Sequence, residues 1–139
     1  MNRSALIDTG FMFAVLDESD AFHKTTSKAF EREIYALFLP EVALTELAFL
    51  LLRESKYDVL ASFLRQIETG SINIVGAETP DFLRAADILE QYADSKIDFV
   101  DAVIMAIAER FNIKRILTVD RRDFGMFRPK HCEFFEIVP

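Results

Sequence analysis

Ser4-Ala5-Leu6-Ile7-Asp8-Thr9-Gly10 decides the fold. An unbroken apolar run, followed by an acid, a hydroxyl and a glycine, reads as a buried strand over residues 4–8 that stops in a turn. No polar residue alternates with Ala-Leu-Ile, so the strand belongs to a sheet covered on both faces. A second run of this kind, Ile116-Leu117-Thr118-Val119-Asp120, also ends on an aspartate. In open parallel sheets ligands gather beyond the carboxyl ends of the strands. Asp8 and Asp120 therefore fall at one such edge.

Working outward, apolar strands alternate with helical patterns. Helices are expected over residues 10–16 and 21–33, the latter with Asp20 as cap. A strand over 36–39 is stopped by Pro40, and apolar helices follow over 41–54 and 57–68. A strand at 71–75 follows Gly70. Thr79-Pro80-Asp81 is a helix start with a hydroxyl cap, a proline in the first turn and an acid favoured by the dipole. That helix runs to about residue 93, another spans 98–110, and strands are expected at 115–119 and 133–138. The alternation predicts an α/β fold with a mostly parallel sheet. At 139 residues, without linker, repeat or low-complexity segment, residues 1–139 are expected to form one domain.

Half the chain (51%) is hydrophobic, with fourteen Phe and no Trp, which supplies a core. Cys132 is alone, so no disulfide framework exists and the cytoplasm is the expected compartment. The start of the chain has too short an apolar stretch for a signal peptide, and no run is long enough to span a membrane. The net charge of −7 argues against indiscriminate nucleic-acid binding. Basic residues nevertheless concentrate late in the chain, at Arg110, Lys114, Arg115, Arg121, Arg122, Arg128 and Lys130, opposed by Asp120 and Asp123. They form either an ordinary solvated surface or a basic rim beside an acidic pocket.

Two further acids sit on apolar helices. Glu46 has Val42, Ala43, Phe49 and Leu50 as its helical neighbours, and Asp101 interrupts the otherwise apolar stretch 99–108. Each acid alone has an ordinary explanation. Asp8 can cap a helix, Asp120 can form a turn, Glu46 can sit at a helix–sheet boundary, and Asp101 can serve the helix dipole. Asp98 suits the capping role better than Asp101 and can lend it a second carboxylate. Jointly, Asp8, Glu46, Asp101 and Asp120 converge if both helices begin at the edge where the strands end. A buried acidic cluster needs protons or cations. His23, His131 and Cys132 lack metal-site spacing, which disfavours zinc; hard oxygen ligands suit Mg²⁺ or Mn²⁺. Such ions can serve phosphodiester hydrolysis and admit a polyanion to an acidic pocket.

The segments Ala-Leu-Ile-Asp8-Thr9-Gly10, Leu44-Thr45-Glu46-Leu47, Asp98-Phe99-Val100-Asp101-Ala102 and Leu117-Thr118-Val119-Asp120, with Phe124 beyond, resemble in order and spacing the PIN-domain nuclease family. The likeness is strongest to VapC-like toxins of prokaryotic toxin–antitoxin modules and covers nearly the whole chain. It implies a Rossmann-like α/β/α sandwich and a Mg²⁺- or Mn²⁺-dependent endoribonuclease that leaves a 5′-phosphate and a 3′-hydroxyl. It implies catalytic roles for Asp8, Glu46, Asp101 and Asp120, with Asp8, Asp101 and Glu46 holding metal and Asp120 acting through water. Thr118, Thr9 and Asp98 would support them. An RNA substrate, a small antitoxin supplied in trans and a homodimer are the implied partners. Surplus apolar residues on the helices at 41–54 and 57–68 agree with a dimer or with burial against the sheet.

The contrasting possibility is a catalytically silent PIN-like module that binds RNA or protein. Asp8-Thr9-Gly10 also matches the aspartic-protease tripeptide, but that chemistry needs two copies on a β-rich scaffold and the chain has one. Phosphatase and receiver readings fail on the missing second acid near Asp8.

Overall fold

The computed structural model describes residues 3–139. Five parallel strands form one sheet in the order β3-β2-β1-β4-β5, with β1 Ser4–Ile7, β2 Ala36–Pro40, β3 Asn73–Val75, β4 Arg115–Leu117 and β5 Glu136–Val138. Every pairing is parallel, and Leu6 lies level with Phe38 on one side and Ile116 on the other. The expected mostly parallel sheet is thus parallel throughout. All four residues of β1 are buried, as an unbroken apolar central strand requires.

Among the described residues seven α-helices connect the strands: α1 Thr9–Leu16, α2 His23–Arg32, α3 Glu41–Arg53, α4 Tyr57–Gln66, α5 Thr79–Gln91, α6 Phe99–Phe111 and α7 Arg121–Met126. The chain moves from β1 through β2 to β3, then returns across β1 to β4 and β5. Right-handed crossovers along that path place α1 to α4 on one face and α5 to α7 on the other. The helix α6 is apolar all round, and Ala102 through Ala108 are all buried. It is the central helix of the core, and each such side chain withdrawn from water contributes about 1.5–3 kcal/mol if large. Between them, α5 and α6 pack antiparallel. Arg84 Nε meets Glu109 at 2.7 Å and Arg110 Nε meets the buried Asp81 at 2.9 Å, pairing the start of α5 with the end of α6.

On α3 the buried positions Ala43, Leu47 and Leu51 fall four apart, one face turned inward. Of the surplus apolar residues on α3 and α4, Leu51, Leu60 and Phe63 are buried, whereas Phe49 is 64% exposed and Leu52 and Leu64 are exposed, as is Tyr57.

Local differences from expectation have physical causes. Asp20 does not cap α2; it accepts from Phe22 N at 2.8 Å and makes a turn, and the helix begins at His23. Thr79 is not the cap of α5 either. Glu78 is, in a reciprocal box with Asp81, whose carboxylate accepts from Glu78 N at 2.8 Å. The short α7 is absent from the sequence expectation, and the last two strands are shorter than expected. Among the described residues no helix is long and apolar enough to cross a membrane.

Candidate active site

Asp8 follows β1 directly and caps α1. Its Oδ1 accepts from Thr9 N at 2.7 Å and its Oδ2 from the Thr118 hydroxyl at 2.7 Å. Thr118 follows β4, the strand beside β1, so sheet pairing alone brings the two together. The same hydroxyl accepts from Asp120 N at 2.9 Å. One buried threonine therefore fixes both strand-end acids.

A repeated device orients the rest. Asp98 caps α6 by accepting from Asp101 N at 2.9 Å, and Asp120 caps α7 by accepting from Asp123 N at 3.0 Å. In each Asp-x-x-Asp segment the first acid closes the helix and the second projects from its first turn. Asp101, Asp120 and Asp123 each offer a carboxylate oxygen within 4.8 Å of the others. Asp8 adjoins this trio closely enough to repel Asp101 and Asp120. Glu46, half-buried on α3, stands outside the trio but repels Asp8. The helix ends at α1 and α6 direct backbone N–H groups toward the acids and offset part of their charge.

That offset is incomplete. Asp101 is 7% exposed and its carboxylate has no hydrogen-bond donor or ion-pair partner among the described residues. Burial, then the charges of Asp8, Asp98, Asp120 and Asp123, push its pKa up to about 9. Asp8 is pushed up to about 6, chiefly by burial and further by Asp120 and Glu46, against the opposing pull of Thr118 and Thr9. Asp123 is also raised, by burial and by Asp120, although Arg122 Nη1 binds it at 2.7 Å. Arg122 is 69% exposed, so this contact neutralises little. The Thr9 hydroxyl is buried and has no hydrogen-bond partner among the described residues.

A donor set made only of carboxylates, one of them uncompensated, fits a hard divalent cation. The histidines lie apart, with His23 on the Ala14 carbonyl and His131 on the Ile113 carbonyl.

Of the late cations, Arg122 stands beside the acidic trio on Asp123, and others are engaged elsewhere. Arg110 binds Asp81, Arg115 binds Glu33 and Glu136, and Arg121 and Arg128 donate to backbone carbonyls. Asp123 is the acid that sequence reasoning left out of the site. Its spacing from Asp120 matches that of Asp101 from Asp98, and this repeat was the available signal.

A family profile described as PIN domain matches residues 5–127. Ribonuclease VapC26 of Mycobacterium tuberculosis is 28% identical over 134 residues, covering 96% of this chain and 99% of that protein. Among solved structures, VapC20 of Mycobacterium tuberculosis, described as a toxin cleaving the sarcin–ricin loop, superposes with a TM-score of 0.83 at 20% identity, covering 97% of this chain and 99% of that one. VapBC2 of Rickettsia felis, bound to a DNA fragment from its promoter, gives 0.71 at 12% identity, covering 98% and 99%. At these identities the structural likeness concerns the fold.

Proposed function

The chain belongs to the PIN-domain family, and from that membership we propose that it is a metal-dependent endoribonuclease, the toxin of a toxin–antitoxin pair, with residues 1–139 acting as one PIN domain. The observation that carries this is Asp101, a buried carboxylate with no donor or cation among the described residues, beside the charges of Asp8, Asp98, Asp120 and Asp123. Such a group is costly unless something positive arrives from outside. Asp8 and Asp101, assisted by Glu46 and by the Asp120–Asp123 pair, are the residues that would hold Mg²⁺ or Mn²⁺. Bound there, the cation neutralises the acids so that a phosphodiester can enter, and it polarises the reacting phosphate.

The chain's own residues supply position. Thr118 pins Asp8 and the backbone of Asp120 in one geometry. Asp98 holds the first turn of α6 so that Asp101 projects into the pocket. Asp120 has Oδ1 engaged by Asp123 N, which leaves Oδ2 to orient the attacking water and accept the proton it loses. Water adds to phosphorus, the P–O3′ bond breaks, and the departing 3′-oxygen takes a proton from solvent while Asp120 returns its proton to solvent, giving a 5′-phosphate and a 3′-hydroxyl.

The partner reading has its own support. An apolar groove of about 470 Å³, lined by Met12, Leu16, Phe30, Phe63, Ile67 and Ile72, lies between α1, α2 and α4. It suits an amphipathic segment of an antitoxin supplied in trans. Exposed Phe49, Leu52, Tyr57 and Leu64 suit a homodimer contact. The unpaired Cys132 agrees with a cytoplasmic protein.

The test is cleavage of mixed RNA by purified protein with Mg²⁺ or Mn²⁺, comparing wild type with Asp8→Asn and Asp101→Asn, and circular dichroism to verify folding. Wild type should cleave and both folded variants should not. Equal cleavage by all three, or none by wild type with either ion, rejects the proposal in favour of a silent module.

A further inference from the structure

Three cations without an ion pair lie together on α2. Lys24, Lys28 and Arg32 are exposed and have no ion-pair or hydrogen-bond partner among the described residues. Spaced four apart on one helix, they form a single row advancing about 6 Å per step. They line a groove of about 390 Å³ between α2 and the β4–β5 side of the sheet, with Arg115, Val138 and Pro139 as its other wall. The acid in that lining, Glu33, is buried and already held by Arg115 Nε at 2.8 Å. The groove thus gathers three cations without an ion pair in a protein whose net charge is −7.

Its position is as informative as its charge. The Pro139 carbonyl in the groove wall accepts from the guanidinium of Arg121, and Arg121 is the residue next to Asp120. Thr118, which holds Asp8 and the backbone of Asp120, donates its N–H to the Val138 carbonyl at 2.9 Å, so the Val138–Pro139 end of the groove lies at the strand-end edge that carries the acids. We propose that this groove binds the phosphate backbone of the RNA strand outside the scissile bond, with Lys24, Lys28 and Arg32 taking successive phosphates. The inference rests on the nuclease reading of the acidic site and deepens it. Point charges on flexible stems contact phosphates without reading bases, so the groove adds affinity without sequence preference. It also explains how an acidic protein attracts a polyanion: the repelling charge is confined to the pocket and the attracting charge runs alongside.

The experiment uses the triple variant Lys24→Ala, Lys28→Ala, Arg32→Ala, whose exposed positions leave the core untouched. In an Asp101→Asn background, binding of a long single-stranded oligoribonucleotide is measured against salt concentration. The triple variant should lower the slope of log affinity against log salt by about 2, since each phosphate contact on a single strand contributes about 0.7. With the acids intact, KM for long RNA should rise about tenfold or more while kcat, and cleavage of a dinucleotide too short to reach the groove, stay at the wild-type level. An unchanged salt slope overturns the groove. Loss of binding to a polyglutamate peptide with RNA binding intact also overturns it, by assigning the groove to an acidic protein. Normal RNA cleavage with an unchanged slope removes the groove alone. A wild type that binds RNA with the expected slope but never cleaves it removes the nuclease reading and keeps the groove.

Discussion

Thr118 joins two of the acids through one buried hydroxyl, donating to Asp8 Oδ2 and accepting from Asp120 N. Thr118→Val keeps the shape and removes both bonds. At pH 8, where Asp8 is largely ionised, the variant should lose about 1–3 kcal/mol of stability by urea denaturation, because a buried carboxylate oxygen and an N–H are left unsatisfied. Thr118→Ser should restore most of it. Equal stability of the valine variant and wild type would show that the bond matters little. Single residues also mark where sequence reasoning ran out. Asp8, Asp101 and Asp120 stand out because each follows or interrupts an apolar run. Asp123 is flanked by Arg122 and shares its stretch with several other cations, so it looks like surface charge. The Asp-x-x-Asp repeat was its one sequence signal, and the fold shows that α7 turns it inward.

At the scale of elements, the helices are held by acids at their starts. Asp81 is 2% exposed, closes the box with Glu78 and meets Arg110 on α6. Asp81→Ala removes a cap and strands a partly buried guanidinium, so we expect a loss of about 2–3 kcal/mol by thermal or urea unfolding, reduced from a fully buried pair because Arg110 retains some water. A change under about 0.5 kcal/mol would mean the α5–α6 contact rests on its apolar face alone. β1 and α6, apolar almost throughout, and α3, with its buried positions four apart, are readable from composition and spacing because burial writes the pattern. The helix α7 is not, since six residues containing Gly125 show no helical period and Asp120 fits a turn equally well. The caps of α2 and α5 misled for a similar reason. Asp20 and Thr79 are good cap residues, but Asp20 spends its carboxylate on Phe22 N in the preceding turn and Glu78 takes the cap of α5 through its reciprocal box with Asp81. The basic row on α2 needs the groove wall contributed by β4 and β5, which no local window contains.

For the molecule as a whole, the acids trade stability for function. Folded Asp8 and Asp101 titrate near 6 and 9, above the ordinary carboxylate value of about 3.9. The folded state therefore binds protons that the unfolded chain releases, and stability falls as pH rises from about 4 through those two values. The slope reaches roughly 1.4 kcal/mol per pH unit for each group held protonated only in the folded state. Metal-free protein should melt at a higher temperature at pH 5 than at pH 8. Asp101→Asn should flatten that dependence and stabilise the protein at pH 8 while abolishing cleavage. Mg²⁺ should raise the melting temperature most at pH 8, by an amount equivalent to about 2.7 kcal/mol at a hundredfold excess over its dissociation constant. A melting temperature indifferent to both pH and Mg²⁺ would mean the carboxylates are solvated independently.

The most direct measurement is anomalous scattering from crystals soaked in millimolar Mn²⁺ at pH 8. Density among the carboxylates of Asp8, Asp101, Asp120 and Asp123 is the predicted result, lost in crystals of Asp101→Asn. No density there in well-ordered wild-type crystals, or Mn²⁺ bound only on the surface, would contradict a cation-holding active site.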